Sequence, residues 1–234
     1  MKTRLPALCT AVMGLACLPT LAGEPWYENF DSYPPGTRLN GIGGWYGWDN
    51  VPDAAGTVTN ERSQSPDNSI VVSNPTGYDA VHPFDGYTSG QWVFTAYQYV
   101  PSNLDGMTYF ILNNEYNHGG PYQWAVELHM DPVRGEVWEE LRDPGGSHAV
   151  PLIYDRWVEI RNVIDLDLNT LDVFYDGQLV ATGVWNVRGG PMEIANVDLY
   201  APHEVGVFYD DLSLVPEPTA CLLLLIGAAG LRRR

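Results

Sequence analysis

The sequence predicts an all-β protein built as a two-sheet antiparallel sandwich. No segment sustains the 3.6-residue apolar period of an amphipathic helix. Roughly a dozen short stretches rich in Val, Ile, Tyr, Phe and Trp succeed one another at spacings of roughly 8–15 residues, with Gly, Pro, Asn and Asp between them, which is the pattern of sandwiches and barrels. Residues 155–180, D-R-W-V-E-I-R-N-V-I-D-L-D-L-N-T-L-D-V-F-Y-D-G-Q-L-V, read as a meander of three strands. Its second turn, Asp176-Gly177, is a strong hairpin signal, because both central positions of a type I′ turn need positive φ.

Taken in order, the first strand is expected at 26–30, followed by a turn at Pro34-Pro35-Gly36. Residues 39–50, L-N-G-I-G-G-W-Y-G-W-D-N, are too rich in Gly and Trp for a regular element and predict a rigid loop. A short apolar strand is expected at 69–73, then a polar stretch, then the strand of strongest composition, Q-W-V-F-T-A-Y-Q-Y-V, at 91–100. Further strands follow at 107–113, 122–130 and 136–141, the last two joined by a turn at Arg134-Gly135. After the meander, strands are expected at 193–200 and 205–214. Trp92, Trp124 and Trp157 stand in apolar strands and are assigned to the core.

Both ends read as processing signals. Residues 1–4 are basic, 5–18 are mainly apolar, and Thr20-Leu21-Ala22-Gly23 offers the small residues of a cleavage site, so 1–23 is expected to be a signal peptide. Residues 24–214 make one domain, and 215–234 form a distinct tail: Val-Pro-Glu-Pro, an apolar run and three arginines. That run is short against the ~20 residues of a full span, and the arginines that follow are expected to stay on the cytoplasmic side.

All 29 acidic residues lie at or after Glu24. Five of the 12 basic residues belong to the predicted signals, which leaves seven arginines, no lysine and a formal balance of −22. Such a surface repels nucleic acid and anionic lipid and suits neutral glycans, divalent cations or a salty exterior. Cys9, Cys17 and Cys221 fall in the predicted signals, so the domain itself holds no disulfide and no thiolate site.

The tail resembles the PEP-CTERM sorting signal of Gram-negative bacteria, with Val215-Pro216-Glu217-Pro218 matching the motif. The resemblance implies recognition by an exosortase, transient insertion in the inner membrane, cleavage near the motif and delivery to the cell surface or an exopolysaccharide matrix. An ordinary C-terminal tail anchor is the alternative. Within the domain, W-V-E-I-R-N-V-I-D-L-D followed by D-V-F-Y-D-G-Q-L-V resembles the core of concanavalin A-like and laminin G-like jelly rolls, and I-A-N-V-D-L-Y-A and V-F-Y-D-D-L-S-L match the strands that close them. That family implies a fold and a tendency to bind sugars, without fixing one activity.

Sugar binding asks for aromatic faces to stack on pyranose rings and for amides or carboxylates to meet hydroxyls. Trp45, Tyr46 and Trp48 in the Gly-rich loop are the candidates for an exposed platform. Tyr97, Tyr99, Asn113, Gln123, Glu127 and His129 complete the candidate site. Laminarinase-type hydrolases of this fold resemble a strand bearing E-x-D-x-x-E, because retaining hydrolysis needs two carboxylates ~5 Å apart. Here Glu127 and His129 share a face with no second acid, Glu136 and Glu140 are four apart, and Asp165 and Asp167 adjoin a turn. A lyase would draw its Tyr, His and Arg or Gln from Tyr97, Tyr99, Tyr109, Gln123, His129 and Arg161. The expected protein is therefore a monomeric, non-catalytic module that binds glycan or serves structurally in a matrix, with a polysaccharide-degrading hydrolase or lyase as the alternative.

One acid stands out. Asp210 has the parity of Phe208, Leu212 and Leu214, so alternation turns it toward the core, where a carboxylate needs a partner. The family resemblance implies a structural calcium there, held with carbonyls of the chain start and the Gly-rich loop. A carboxylate capped by loop amides is the other reading.

Overall fold

The computed structural model describes residues 23–217, and both predicted processing signals lie essentially outside them. Among these residues, fifteen strands form two antiparallel sheets. Their ranges are β1 Trp26–Glu28, β2 Tyr46–Gly47, β3 Thr57–Thr59, β4 Ser69–Val72, β5 Asp79–Pro83, β6 Gln91–Tyr99, β7 Thr108–Tyr116, β8 Tyr122–Asp131, β9 Glu136–Glu139, β10 Val150–Pro151, β11 Trp157–Asp165, β12 Thr170–Tyr175, β13 Gln178–Gly183, β14 Asn196–Tyr200 and β15 Val207–Pro216. The eight-stranded sheet runs β13-β12-β11-β6-β15-β4-β3, with β1 also paired to β15. The seven-stranded sheet runs β10-β9-β8-β7-β14-β5-β2. The meander is β11 to β13, and its Asp176-Gly177 turn takes positive φ at both residues (50° and 72°), as the sequence requires. The two-sheet antiparallel sandwich is therefore the fold. No helix among the described residues is long and apolar enough to cross a membrane.

The core lies between the sheets. Trp92, Phe94 and Ala96 of β6 and Ile160 and Ile164 of β11 meet Phe110 and Leu112 of β7, Leu128 and Met130 of β8, and Val197 and Leu199 of β14. The sheets differ on their outer faces. β6 and β11 alternate buried with half-buried residues, as strands with one covered face do. β7 and β14 are buried on nearly every residue, so loops cover the outer face of the seven-stranded sheet at its centre. That covered outer face is where a site can be enclosed.

Several expectations change here. β2, β3, β5 and β10 are strands that the composition did not announce. Trp45 is not on an exposed platform: it is fully buried, edge-on to His82 at 5.2 Å, with its indole N–H donating to Glu28 Oε2. Tyr97 and Tyr99 lie on β6, in the eight-stranded sheet, facing away from the core. There Tyr99 pairs with Asp210's strand neighbour Phe208, takes Arg62 over its ring at 4.4 Å, and stands edge-on to Trp157. Both therefore lie on the opposite sheet from the other candidates. Arg161 is on the same remote face, 4.0 Å over the ring of Phe174.

Asp210 is fully buried, but not in the core. The β15–β6 register breaks between Asp210 and Ser213, and Asp211 takes a φ of 47°. One extra residue in a strand reverses its parity. Tyr209, Leu212 and Leu214 therefore face the core, while Phe208 and Asp210, opposite Tyr99 and Tyr97, face outward under the 61–68 loop. Asp210 Oδ2 accepts the backbone N–H groups of Gln64 (2.7 Å) and Ser65 (3.1 Å), and Oδ1 accepts that of Asp211 (2.7 Å). Burial outweighs these bonds and pushes its carboxyl up to about 7. Calcium asks for oxygen donors. Three N–H groups instead turn their positive ends to Asp210, beside the Asp211 carboxylate, and such donors fit the amide cap better than a cation.

Candidate functional site

β14 runs through the middle of the seven-stranded sheet as Asn196-Val197-Asp198-Leu199-Tyr200. Val197 and Leu199 enter the core, so Asn196, Asp198 and Tyr200 turn to the outer face. On β7 the same logic sends Phe110 and Leu112 inward and Tyr109 and Ile111 outward. The ladders then set two rows across the sheet. One reads Val81, Asp198, Ile111, Glu127, and the next reads Asp79, Tyr200, Tyr109, His129, Trp138. These rows floor a cleft of about 530 Å³, walled by Trp48, Trp124 and Arg188.

The walls are tied down. Trp48 opens a 3-10 turn, Trp48–Asn50, in which Asp49 and Asn50 take positive φ (54° and 59°), a conformation Asp and Asn tolerate. Asp49 Oδ1 accepts the Gly119 N–H (2.8 Å) and the Tyr122 hydroxyl (2.5 Å), fastening this turn to the 117–121 loop. Trp48 then packs against Tyr116 at 4.8 Å and Tyr122 at 4.9 Å and stacks with Trp124 at 6.1 Å and 24°. The opposite wall is anchored by Asn114, whose amide donates to the carbonyls of Gly189 (2.8 Å) and Pro191 (2.9 Å), beside Arg188.

The floor is acidic and unevenly charged. Asp79 on β5 and Asp198 on β14 adjoin diagonally across the ladder. Oδ1 of each is buried without a hydrogen-bond partner. Burial, then the charge of Asp79 beside it, holds Asp198 well above the usual carboxylate range, and burial pushes Asp79 up as well. Across Ile111, Glu127 Oε1 lies 2.9 Å from His129 Nε2. His129 stands edge-on to Tyr109 at 4.8 Å and next to Trp138 at 5.0 Å. Tyr109 and Tyr200 stack at 5.4 Å, and burial raises both phenols. Among the described residues, no group of three or more His, Cys, Asp or Glu is placed to hold a metal ion.

Of the residues named from the sequence, Trp48, Glu127 and His129 meet in this cleft. Tyr46 sits beside it, in a small cluster with Val81, Trp48, Tyr116 and Tyr122. Asn113 lies opposite both Asn196 and Trp124 and is fully buried. Gln123 stands at the edge, against Gly190. Trp45, Tyr97, Tyr99 and Asp210 are elsewhere. Trp124, assigned to the core from its apolar strand, is instead a wall of the cleft, because a break in the β7–β8 register falls between Leu112 and Asn113 and leaves Ala125 and Val126 both inside. Asp79, Asp198, Arg188 and Tyr200 were missed. For Asp198 the signal was present, an acid between Val197 and Leu199 in an apolar strand.

No protein-family model matches the chain, and no curated protein does. Among solved structures, the chain is similar to a sialidase at 11% identity and a TM-score of 0.55, covering 84% of this chain and 19% of the sialidase. It is also similar to the cellulose induced protein Cip1 at 18% identity and a TM-score of 0.54, covering 82% of this chain and 97% of Cip1. The chain thus spans about a fifth of the sialidase and nearly the whole of Cip1. At these identities the likeness establishes the sandwich fold.

Proposed function

We propose that this chain is an exported, surface-sorted module that binds a neutral glycan in the cleft of its seven-stranded sheet. The observation that carries the reading is the joining of four aromatic rings, Trp48, Trp124, Tyr109 and Tyr200, with carboxyl groups in one cleft of about 530 Å³. Aromatic faces suit the apolar faces of sugar rings, and carboxyl oxygens suit hydroxyls. A ligand in a pocket of this kind is oriented by a few placed polar groups. The balance of −22 disfavours polyanionic sugars and nucleic acid. The two fold neighbours are a sialidase and a cellulose-induced protein, and both names belong to carbohydrate biology.

Export and sorting rest on the two terminal signals. In the structure Val215 and Pro216 pair with Val93 and Trp92, and the Glu217 N–H donates to the Gln91 carbonyl (2.9 Å). The domain thus runs into the start of the motif with no linker between them. A glycan array probed with the purified exported protein tests the binding reading. Retention on neutral polysaccharides, and not on polyuronates, is expected, whereas retention on no glycan contradicts it.

A further inference from the structure

We propose that the cleft also hydrolyses glycosidic bonds with inversion at the anomeric carbon, Asp198 acting as the acid and Glu127 as the base. The proposal rests on the glycan-binding reading of the same cleft. Its ground is placement. Asp198 on β14 and Glu127 on β8 stand in one row on one face, each paired to Ile111 of the strand between them. Neighbouring strands lie ~4.8 Å apart, so the two backbones are separated by roughly 10 Å. That backbone separation suits the ~6.5–9.5 Å of an inverting pair, which leaves room for a water, better than the ~5 Å of a retaining pair.

The two acids have different surroundings, as acid and base require. Asp198 is 3% exposed yet lines the cleft beside Asp79, and its Oδ1 has no hydrogen-bond partner. Glu127 is in contact with His129. A row further along, Asn113 and Asn196 lie opposite each other, fully buried, with neither end of either amide hydrogen-bonded. Buried polar groups are rarely left so, and unpaired ones mark a function or a missing partner.

In the reaction, the bond between the anomeric carbon and the bridging oxygen breaks. Asp198 gives its proton to that leaving oxygen. A water adds to the anomeric carbon from the opposite side and loses a proton to Glu127. Glu127 then releases its proton to solvent, and Asp198 takes one back. Water is the only co-reactant. The chain lacks an alternating acid motif because its two acids come from strands some 70 residues apart in sequence, joined by the sheet and not by local spacing.

The test takes a neutral oligosaccharide selected by the array and follows it with the wild-type protein by proton NMR. The expected first product is the reducing sugar of inverted configuration. Asp198→Asn and Glu127→Gln should each lower turnover by ~10²–10⁴-fold while both still bind the uncleaved sugar. Binding with no turnover by the wild type overturns the hydrolysis and leaves the binding reading standing, and absence of both overturns both. A product of retained configuration, or an unsaturated product from elimination, also overturns it. The wild-type measurement decides these outcomes even if a variant fails to fold.

Discussion

Asp79 and Asp198 lie diagonally on neighbouring strands, β5 and β14, at the floor of the cleft, where burial pushes both carboxyls up. Folding therefore raises the proton affinity of this pair above that of the unfolded chain. The folded state binds more protons between the ordinary carboxylate range and the raised one, so stability falls as pH rises through that window. With Asp79 pushed up to about 6 and Asp198 also well above the ordinary carboxylate range, stability is lost as pH rises from that range through about 6. Asn at position 198 mimics the protonated acid and can donate to Asp79. The melting temperature of Asp198→Asn should thus fall less than that of the wild type between pH 5 and pH 8. Equal falls would mean that the pair carries no linked proton.

Asp210 makes a second test of burial against hydrogen bonding. Its carboxyl is pushed up to about 7 by burial, although three N–H groups meet it. The sign is the same: the contribution favours the fold at low pH and is lost as pH rises toward 7. Asp210→Asn should flatten part of the stability-versus-pH curve and loosen the 61–68 loop, read as faster amide exchange at Gln64 and Ser65. Melting curves recorded with calcium and with chelator should coincide, since three N–H groups already meet the carboxylate. A chelator-induced drop that Asp210→Asn abolishes would restore the metal.

Asp49 holds the Trp48 turn to the opposite loop through Gly119 and the Tyr122 hydroxyl. Tyr122→Phe removes one charge-assisted bond at a half-buried position and leaves the ring packed on Trp48. Solvent reaches this bond and screens it, so its loss costs little stability. Glycan affinity should fall a few-fold through a mobile Trp48 wall, with little change in melting temperature, as calorimetry and a thermal scan on the same sample would show. An unchanged affinity would place the binding surface away from this wall.

The elements legible in the sequence are those with one covered face. β6 and β11 alternate cleanly, so their strands and their inward residues follow from period two alone. β5 does not, because Asp79-Ala80-Val81-His82-Pro83 is buried on both faces and carries an acid, a histidine and a proline. Alternation also gives parity without giving the sheet. Tyr97 and Tyr99 do share a face with each other, but on the sheet remote from His129. Asp210 shows how parity itself fails, since the irregularity at Asp211 is a backbone event with no side-chain signal. Trp45 and Trp48 come from the same glycine-rich loop, three residues apart. One enters the core and the other walls the cleft, because three steps of extended chain through Tyr46 and Gly47 put them on opposite faces.

The central claim is that the glycan sits on the outer face of the seven-stranded sheet. Calorimetric titration of the array-selected glycan into wild type, Trp48→Ala, Trp124→Ala and Tyr97→Ala tests it most directly. Stacking of a planar ring on an aromatic side chain contributes on the order of 1–3 kcal/mol in nucleic-acid recognition, a guide to scale here. Affinity should therefore drop about tenfold or more in each tryptophan variant and stay at the wild-type level in Tyr97→Ala, with all four proteins folded by their melting transitions. Wild-type affinity in both tryptophan variants, together with a loss in Tyr97→Ala, would put the ligand on the opposite sheet and contradict the account.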